Sequence, residues 1–533
     1  MKPIVFIAAA LLVACSAGSQ TASVCRAPVC APAQSAYAIE VSPPARSNVL
    51  GWLDQTNIQF DADTGGLVVT LPSLIKLSGT VTIGGTPEAG TVVAKRAARI
   101  PGRPDLTAQA ALDSAGHYTL TVPPTLGPEV YEVGFVPSSG NQAEVPPEML
   151  TTAAASDTTL NFKLSKQKQT FLAGTVADIL GSTVKGMQVQ ALDATSGRVI
   201  STTLNTQADG FYNLALSSTW RGTMARLVAT PTSAAPAGTP TLTQQIAVGQ
   251  TSQSNVNLSI PPLPRVARFS YQVNGKGTSG VDVPVPGVHC QFLATVSAGT
   301  NTSSLTAIYL QSAVSDVDGL VSVDLVPSEA SLGNRLYDVT VSPPAGSDFA
   351  SQKLQIAVGP TGGYGAAVML PPRPTQSGRV IDQRGLPVAQ VTVQPGLATA
   401  AQIGFASSLA DLSKLTTTIT DINGRFALPL DVGQYDLAFI PPASKLLPRL
   451  WIDLGTLTSD NDIEAVVLRP GAMVRTSVVD SNGAPVVGAA IQLFIVPAPT
   501  CGGNDPTCTR TPRVLVDTAT GSDGSAQMLL PTE

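Results

Sequence analysis

Few residues in this 533-residue chain could do acid–base or metal chemistry, and their surroundings argue against it. His117 and His289 are its two histidines. His117 follows a turn glycine and precedes Tyr118-Thr119-Leu120, so the His-x-x-Glu arrangement that could hold zinc is missing. Strand parity places His117 on the solvent side. His289 sits in the apolar run Val288-His289-Cys290-Gln291-Phe292 and reads as a satisfied core residue rather than a ligand. Asp61-Ala62-Asp63-Thr64-Gly65-Gly66 and Asp316-Val317-Asp318-Gly319 resemble calcium loops in part, but the downstream bidentate glutamate and full ligand spacing are missing. Aspartates also stabilise such turns through their own backbone. No Ser-His-Asp set, phosphate-cradling glycine loop or catalytic carboxylate pair is legible. The expectation is therefore a non-enzyme with no catalytic residue, no metal and no cofactor.

The elements behind these residues are strands. Gly116, Gly210, Gly319, Gly424 and Gly524 recur at roughly the length of one common domain, about 100 residues. Two, four and six positions after each glycine the side chains are mostly apolar, as in Tyr118, Leu120, Val122 and Phe426, Leu428, Leu430. Period two leaving a glycine turn marks a half-buried hairpin strand. A second recurrent strand follows: Tyr131-Glu-Val, Tyr337-Asp-Val and Tyr435-Asp-Leu, with an early relative at Tyr37-Ala-Ile-Glu-Val-Ser-Pro-Pro44. Composition agrees, with 43% hydrophobic but only 13% charged residues, 47 Gly and 43 Pro. Turn-rich β-structure has this profile. Net charge is −5 and the 31 basic residues are scattered, so nucleic acid is not an expected partner.

The first residues bear on compartment. Lys2, the apolar run Pro3 to Leu12 and Leu12-Val13-Ala14-Cys15 resemble a bacterial lipoprotein signal. The run is too short to span a bilayer about 30 Å thick. The resemblance implies cleavage before Cys15 and lipid on Cys15, with Ser16 in place of aspartate favouring the outer membrane, on its periplasmic or cell-surface side. An ordinary secretory signal is the alternative. Export implies oxidising conditions, in which close cysteines read as disulfides. Cys501 and Cys508 flank one loop and Cys25 and Cys30 lie in the leading segment; Cys290 is left over as a buried free thiol.

Each repeat opens on a further signature: Ser78-Gly79-Thr80-Val81, Ala173-Gly174-Thr175-Val176 and Ser377-Gly378-Arg379-Val380. Gln383-Arg-Gly-Leu-Pro-Val388, Ser481-Asn-Gly-Ala-Pro-Val486 and Thr420-Asp-Ile-Asn-Gly-Arg-Phe426 complete it. These motifs resemble carboxypeptidase regulatory-like domains, which implies transthyretin-like (prealbumin-type) β-sandwiches and accessory, binding or structural roles. The third repeat departs, opening as Arg265-Val-Ala-Arg-Phe-Ser-Tyr271 without the glycine. The expected fold is all-β, tandem transthyretin-like or Ig-like Greek-key sandwiches in an extended, rod-like array. Expected boundaries are a signal peptide at 1–14, a tether at 15–36, a partial β unit at 37–75 and sandwiches at 76–165, 170–262, 263–372 and 375–470. An incomplete fifth sandwich follows at 472–533.

The chain thus begins with the end half of a repeat and finishes with a start half. A truncated reading frame is the simplest account. The last sandwich using fewer strands is a second, and residues 37–75 supplying the missing strands, in one chain or from a neighbour, is a third. The expected role is a lipid-anchored cell-envelope protein, a structural or protein-interaction array, with an unidentified envelope protein as partner. Polysaccharide binding is the alternative, although Trp52, Trp220 and Trp451 sit singly.

Overall fold

The computed structural model describes residues 36–531, except 45–46, 48, 59–65, 101–102, 165–169, 249–250, 261–265, 277–279, 299–304, 329–335, 398–414 and 497–511. Among the described residues regular structure is almost entirely β, and the chain is the expected tandem array of β-sandwiches. Each sandwich has the same plan. One sheet is built on the opening strand, which the hairpin strand joins antiparallel and a short closing strand joins parallel. In the first repeat these are Ile75–Ile83, His117–Val122 and Phe162–Leu164. The other sheet pairs a strand after the opening one with the tyrosine strand, here Gly90–Arg96 with Tyr131–Pro137. Both faces between the sheets alternate as the sequence predicts: Tyr118, Leu120 and Val122 are buried while His117, Thr119 and Thr121 are exposed.

Glycine is needed at two places in this plan. Gly116 and Gly424 have φ of 76° and 73°, and a Cβ on either would lie 2.6 or 2.3 Å from the opening-strand carbonyl of Val81 or Val380. Only glycine takes this left-handed corner without a clash. On the opening strand, a Cβ at Gly79 or Gly174 would fall 1.7 or 2.0 Å from the carbonyl of Leu160 or Val256, so the missing side chain admits the crossing strand. Tyr118 and Tyr212 stand directly opposite these glycines and donate their hydroxyls to the same two carbonyls.

The third repeat keeps this cross-strand position with the tyrosine moved to the opening strand and a valine opposite it. Tyr271 of the opening strand Ala267–Lys276 faces Val321 of the hairpin strand, and both are buried. Its missing glycine motif thus reflects a tyrosine that has changed strand within the same sheet pairing.

The fifth repeat departs from the expectation of an incomplete sandwich. Its opening strand Gly471–Val479 pairs with the hairpin strand Ser525–Pro531 and, in parallel, with Leu67–Thr70. Its second strand Ala490–Val496 pairs with Ala36–Ser42, which in turn carries the edge strand Leu53–Ile58. Ala36–Ser42, Leu53–Ile58 and Leu67–Thr70 therefore occupy the positions of the tyrosine, edge and closing strands of the other repeats. One core includes Ile39, Val41, Val69 and Leu71 from the start of the chain and Val478, Ile491, Leu493 and Met528 from its end. Hydrogen bonds from Leu71 N to Val479 O (2.8 Å) and between Ser73 Oγ and Ser481 Oγ (3.1 Å) extend the join.

Candidate functional site

The charged residues that are buried lie mostly where one sandwich meets the next. Between the fifth and first sandwiches, Asp54 on the edge strand is almost fully buried and receives Arg96 Nη2 at 2.9 Å and the Arg99 amide at 2.6 Å. Arg103 grips Glu40 through Nε and Nη2 at 2.9 and 3.0 Å, and its guanidinium lies 4.9 Å from the centre of the Phe494 ring. Ile100 packs with Ala38 and Phe494. Residues from both ends of the chain thus meet one segment of the first sandwich.

Each other junction has its own fastening. Between the first and second sandwiches, Glu148 accepts hydrogen bonds from Ser217 Oγ, Ser218 N, Thr219 N and Thr219 Oγ1 at 2.7, 2.6, 2.9 and 2.6 Å. Between the second and third, strands Thr241–Ala247 and Leu305–Val314 pair directly, so one sheet of eight strands runs through both. Between the third and fourth, Asp431 takes Arg373 Nε at 3.2 Å and Ser351 Oγ at 3.0 Å. Between the fourth and fifth, Arg513 is bidentate on Asp436 at 2.8 and 2.6 Å, and Trp451 Nε1 donates to Val514 O at 2.8 Å.

Five sandwiches joined at five junctions form a closed circuit. The open, rod-like array expected from sequence has instead returned on itself, because the first and last strands of the chain build one sandwich. Head-to-tail contacts close into a ring when the rotation per step allows it. The chain runs covalently across all five junctions, leaving the fifth sandwich after Thr70 and re-entering it at Gly471, and the circuit is completed by the strand pairing inside the fifth. The same contacts cover sheet edges, which otherwise invite unwanted pairing.

Glu129 ties Arg96 and Arg99 to the fifth–first junction. Burial raises its carboxyl pKa, but hydrogen bonds from Arg99 and the Leu126 amide, with the charges of Arg96 and Arg99, outweigh this and hold it below the ordinary glutamate range. A depressed folded-state pKa contributes stability above the unfolded value of about 4.3 and loses it as pH falls through the folded value. Hydrogen exchange at Arg96–Ile100 should therefore quicken as pH drops below about 4, relative to intrinsic rates, and Glu129→Gln should remove that part of the dependence. Equal pH dependence in the two proteins would refute this role.

The residues singled out for chemistry do not come together. His117 is exposed as expected, with Nδ1 3.3 Å from Asp113 Oδ2. His289 is exposed rather than in the core: on strand His289–Ala298 it is Cys290 that points inward, and alternation turns His289 outward. Cys290 is a buried free thiol whose pKa burial pushes up to about 11, so it stays protonated at neutral pH. Asp316 spends Oδ1 on the amides of Asp318 and Leu320 at 3.0 and 2.8 Å, and Asp421 does the same with Asn423 and Arg425 at 2.8 Å each. These are turns rather than ion sites. No group of three or more His, Cys, Asp or Glu that could hold a metal occurs among the described residues. Cys15, Cys25, Cys30, Cys501, Cys508 and the Asp61–Gly65 part of the first acidic turn lie outside the described residues.

Sequence reasoning missed the junction residues Glu40, Asp54, Glu148, Asp431 and Asp436. A signal was present for two of them. In so charge-poor a chain, Glu40 and Asp436 stand on otherwise apolar strands, where an unpaired charge is costly.

No family model matches the chain, and no curated protein matches it. Solved structures do. The Bacillus anthracis TIE protein is 10% identical over 82% of this chain and 75% of its own, with a TM-score of 0.17. GBS52, the minor pilin of Streptococcus agalactiae, is 10% identical over 39% of this chain and 97% of its own, at 0.23. A streptococcal ancillary pilin is 9% identical over 74% and 99%, at 0.18. Scores this low carry no argument about function. The fold stands on the strand pairings above.

Proposed function

We propose that the chain is a non-catalytic, lipid-anchored scaffold of the cell envelope, in which a closed set of β-sandwiches holds its surfaces in fixed relation for contact with other envelope proteins. The observation that carries this reading is the use made of buried charge. Asp54, Glu148, Asp431 and Asp436 are spent on fastening one sandwich to the next. The lipobox-like Leu12-Val13-Ala14-Cys15 supports anchoring, and the carboxypeptidase regulatory-like motifs support an accessory rather than a chemical role. A polysaccharide-binding role would use exposed aromatic faces. Trp52 instead lies under Arg96, Trp220 donates to Asp193 at 2.7 Å and Trp451 donates to Val514.

Expression of the full precursor and of Cys15→Ala in a Gram-negative host tests the anchor. The unaltered protein should fractionate with the outer membrane and incorporate labelled palmitate, and Cys15→Ala should do neither. Membrane retention of the unlabelled variant would overturn the anchor. Retention of the purified soluble domain on insoluble glycans would overturn the choice of a protein partner.

A further inference from the structure

We propose that the hollow between the first and second sandwiches binds a small apolar carboxylate, held by Arg198. The hollow has a volume of about 330 Å³. That is at the lower end for small-molecule sites, which favour interfaces between domains. At about 30 Å³ per water-sized group it holds on the order of ten non-hydrogen atoms.

Its walls follow from strand alternation. On Tyr131–Pro137 the side chains of Tyr131, Val133 and Phe135 turn into the first sandwich, leaving Gly134 and Val136 on the outer face toward the second. Val145 and Met149 continue the apolar wall, and Val199 faces them from the second sandwich. Gly134 is what leaves the space open. Its φ is ordinary, and a Cβ there would meet nothing nearer than Glu148 O at 3.7 Å. A Cβ at this position therefore meets no clash, and the empty volume is not forced by the backbone.

Arg198 supplies the polar end. The guanidiniums of Arg96, Arg103, Arg373 and Arg513 at other junctions each meet a carboxylate. Arg198 also lines a junction, yet the partner of its guanidinium is the thioether of Met149 at 2.9 Å, and no carboxylate lies in ion-pair range among the described residues. A thioether is a weak acceptor and a guanidinium offers five donors, so most of its hydrogen-bonding capacity is unused. The acid in the wall, Glu148, is already committed to four donors from Ser217, Ser218 and Thr219. A monocarboxylate with a compact apolar body fits both features: its tail replaces water against Val136, Val145 and Val199, and its head takes the free N–H groups of Arg198.

Octanoate, with 1-octanol as its uncharged counterpart, is the probe. Titration calorimetry of the chain from residue 16 onward should show saturable one-to-one binding of octanoate and at least tenfold weaker binding of octanol. Arg198→Gln should weaken octanoate about tenfold, the loss expected for a charge-assisted contact of about 1.4 kcal/mol, and leave octanol unchanged. Gly134→Leu should abolish binding of both with an unaltered melting temperature. Absence of octanoate binding, equal affinity for octanoate and octanol, or an Arg198→Gln protein that binds octanoate normally would each overturn the proposal. Should Gly134→Leu prove unstable, the octanol and Arg198 comparisons still decide it.

Discussion

A chain lacking residues 16–71 should fail to fold its last sandwich. Ile39, Val41, Ile58, Val69 and Leu71 are buried in the shared core. At about 1.5–3 kcal/mol for each large aliphatic side chain, their removal forfeits on the order of 10 kcal/mol, as much as a whole domain's stability. The deletion also strips Asp54 and Glu40 from Arg96 and Arg103, so the first sandwich should loosen at that junction. Hydrogen exchange and limited proteolysis should show strands Gly471–Val479 and Ser525–Pro531 unprotected, while Thr375–Asp382 in the fourth sandwich stays slow. A synthetic peptide of residues 36–71 added in trans should restore part of the protection. Undiminished protection of the final strands in the deleted chain would refute the shared sandwich.

The second large effect is expected at the fourth–fifth junction. Asp436→Ala should cost about 3–5 kcal/mol locally, because it leaves the buried Arg513 guanidinium without its bidentate partner. Replacing both, Asp436→Leu with Arg513→Met, should recover most of that loss, since well-packed apolar groups can stand in for a buried ion pair. Chemical denaturation followed by exchange at Gly433–Ile440 and Ala490–Val496 would read the difference. An Asp436→Ala chain as stable as the unaltered one would show that the pair is not a fastening. The double replacement also separates stability from geometry. If it folds stably but small-angle scattering shows a longer particle, the pair also sets the angle between sandwiches.

Much of each sandwich is legible before any coordinates. Period-two burial after Gly116 and Gly424 and the tyrosine strands follow from local rules, because a pleated strand exposes alternate faces whatever its surroundings. His289 shows the limit of reading an apolar neighbourhood. Val288 and Cys290 are buried and the histidine between them is not, so the period decides and the composition of the run misleads. The third repeat shows another limit. It lacks the glycine, yet Tyr271 and Val321 stand at the register positions that Gly79 and Tyr118 hold in the first repeat, with the tyrosine on the other strand. Such a swap is visible only once the register is known.

The amino-acid sequence by itself determined the fold class, the repeat and the alternation of the hairpin strands, because turns, alternation and glycine corners act over a few residues. It also showed that the chain starts with one half of a repeat and finishes with the other. Only the tertiary structure decided that those halves are each other's partners. Tyr37 pairs with Ile495 and Val69 with Val478 across almost the whole chain, and no local propensity encodes a pairing at that distance. It is specified by two exposed apolar faces that can be buried together, and by the charges at the junctions on either side, where Asp54 meets Arg96 and Asp436 meets Arg513.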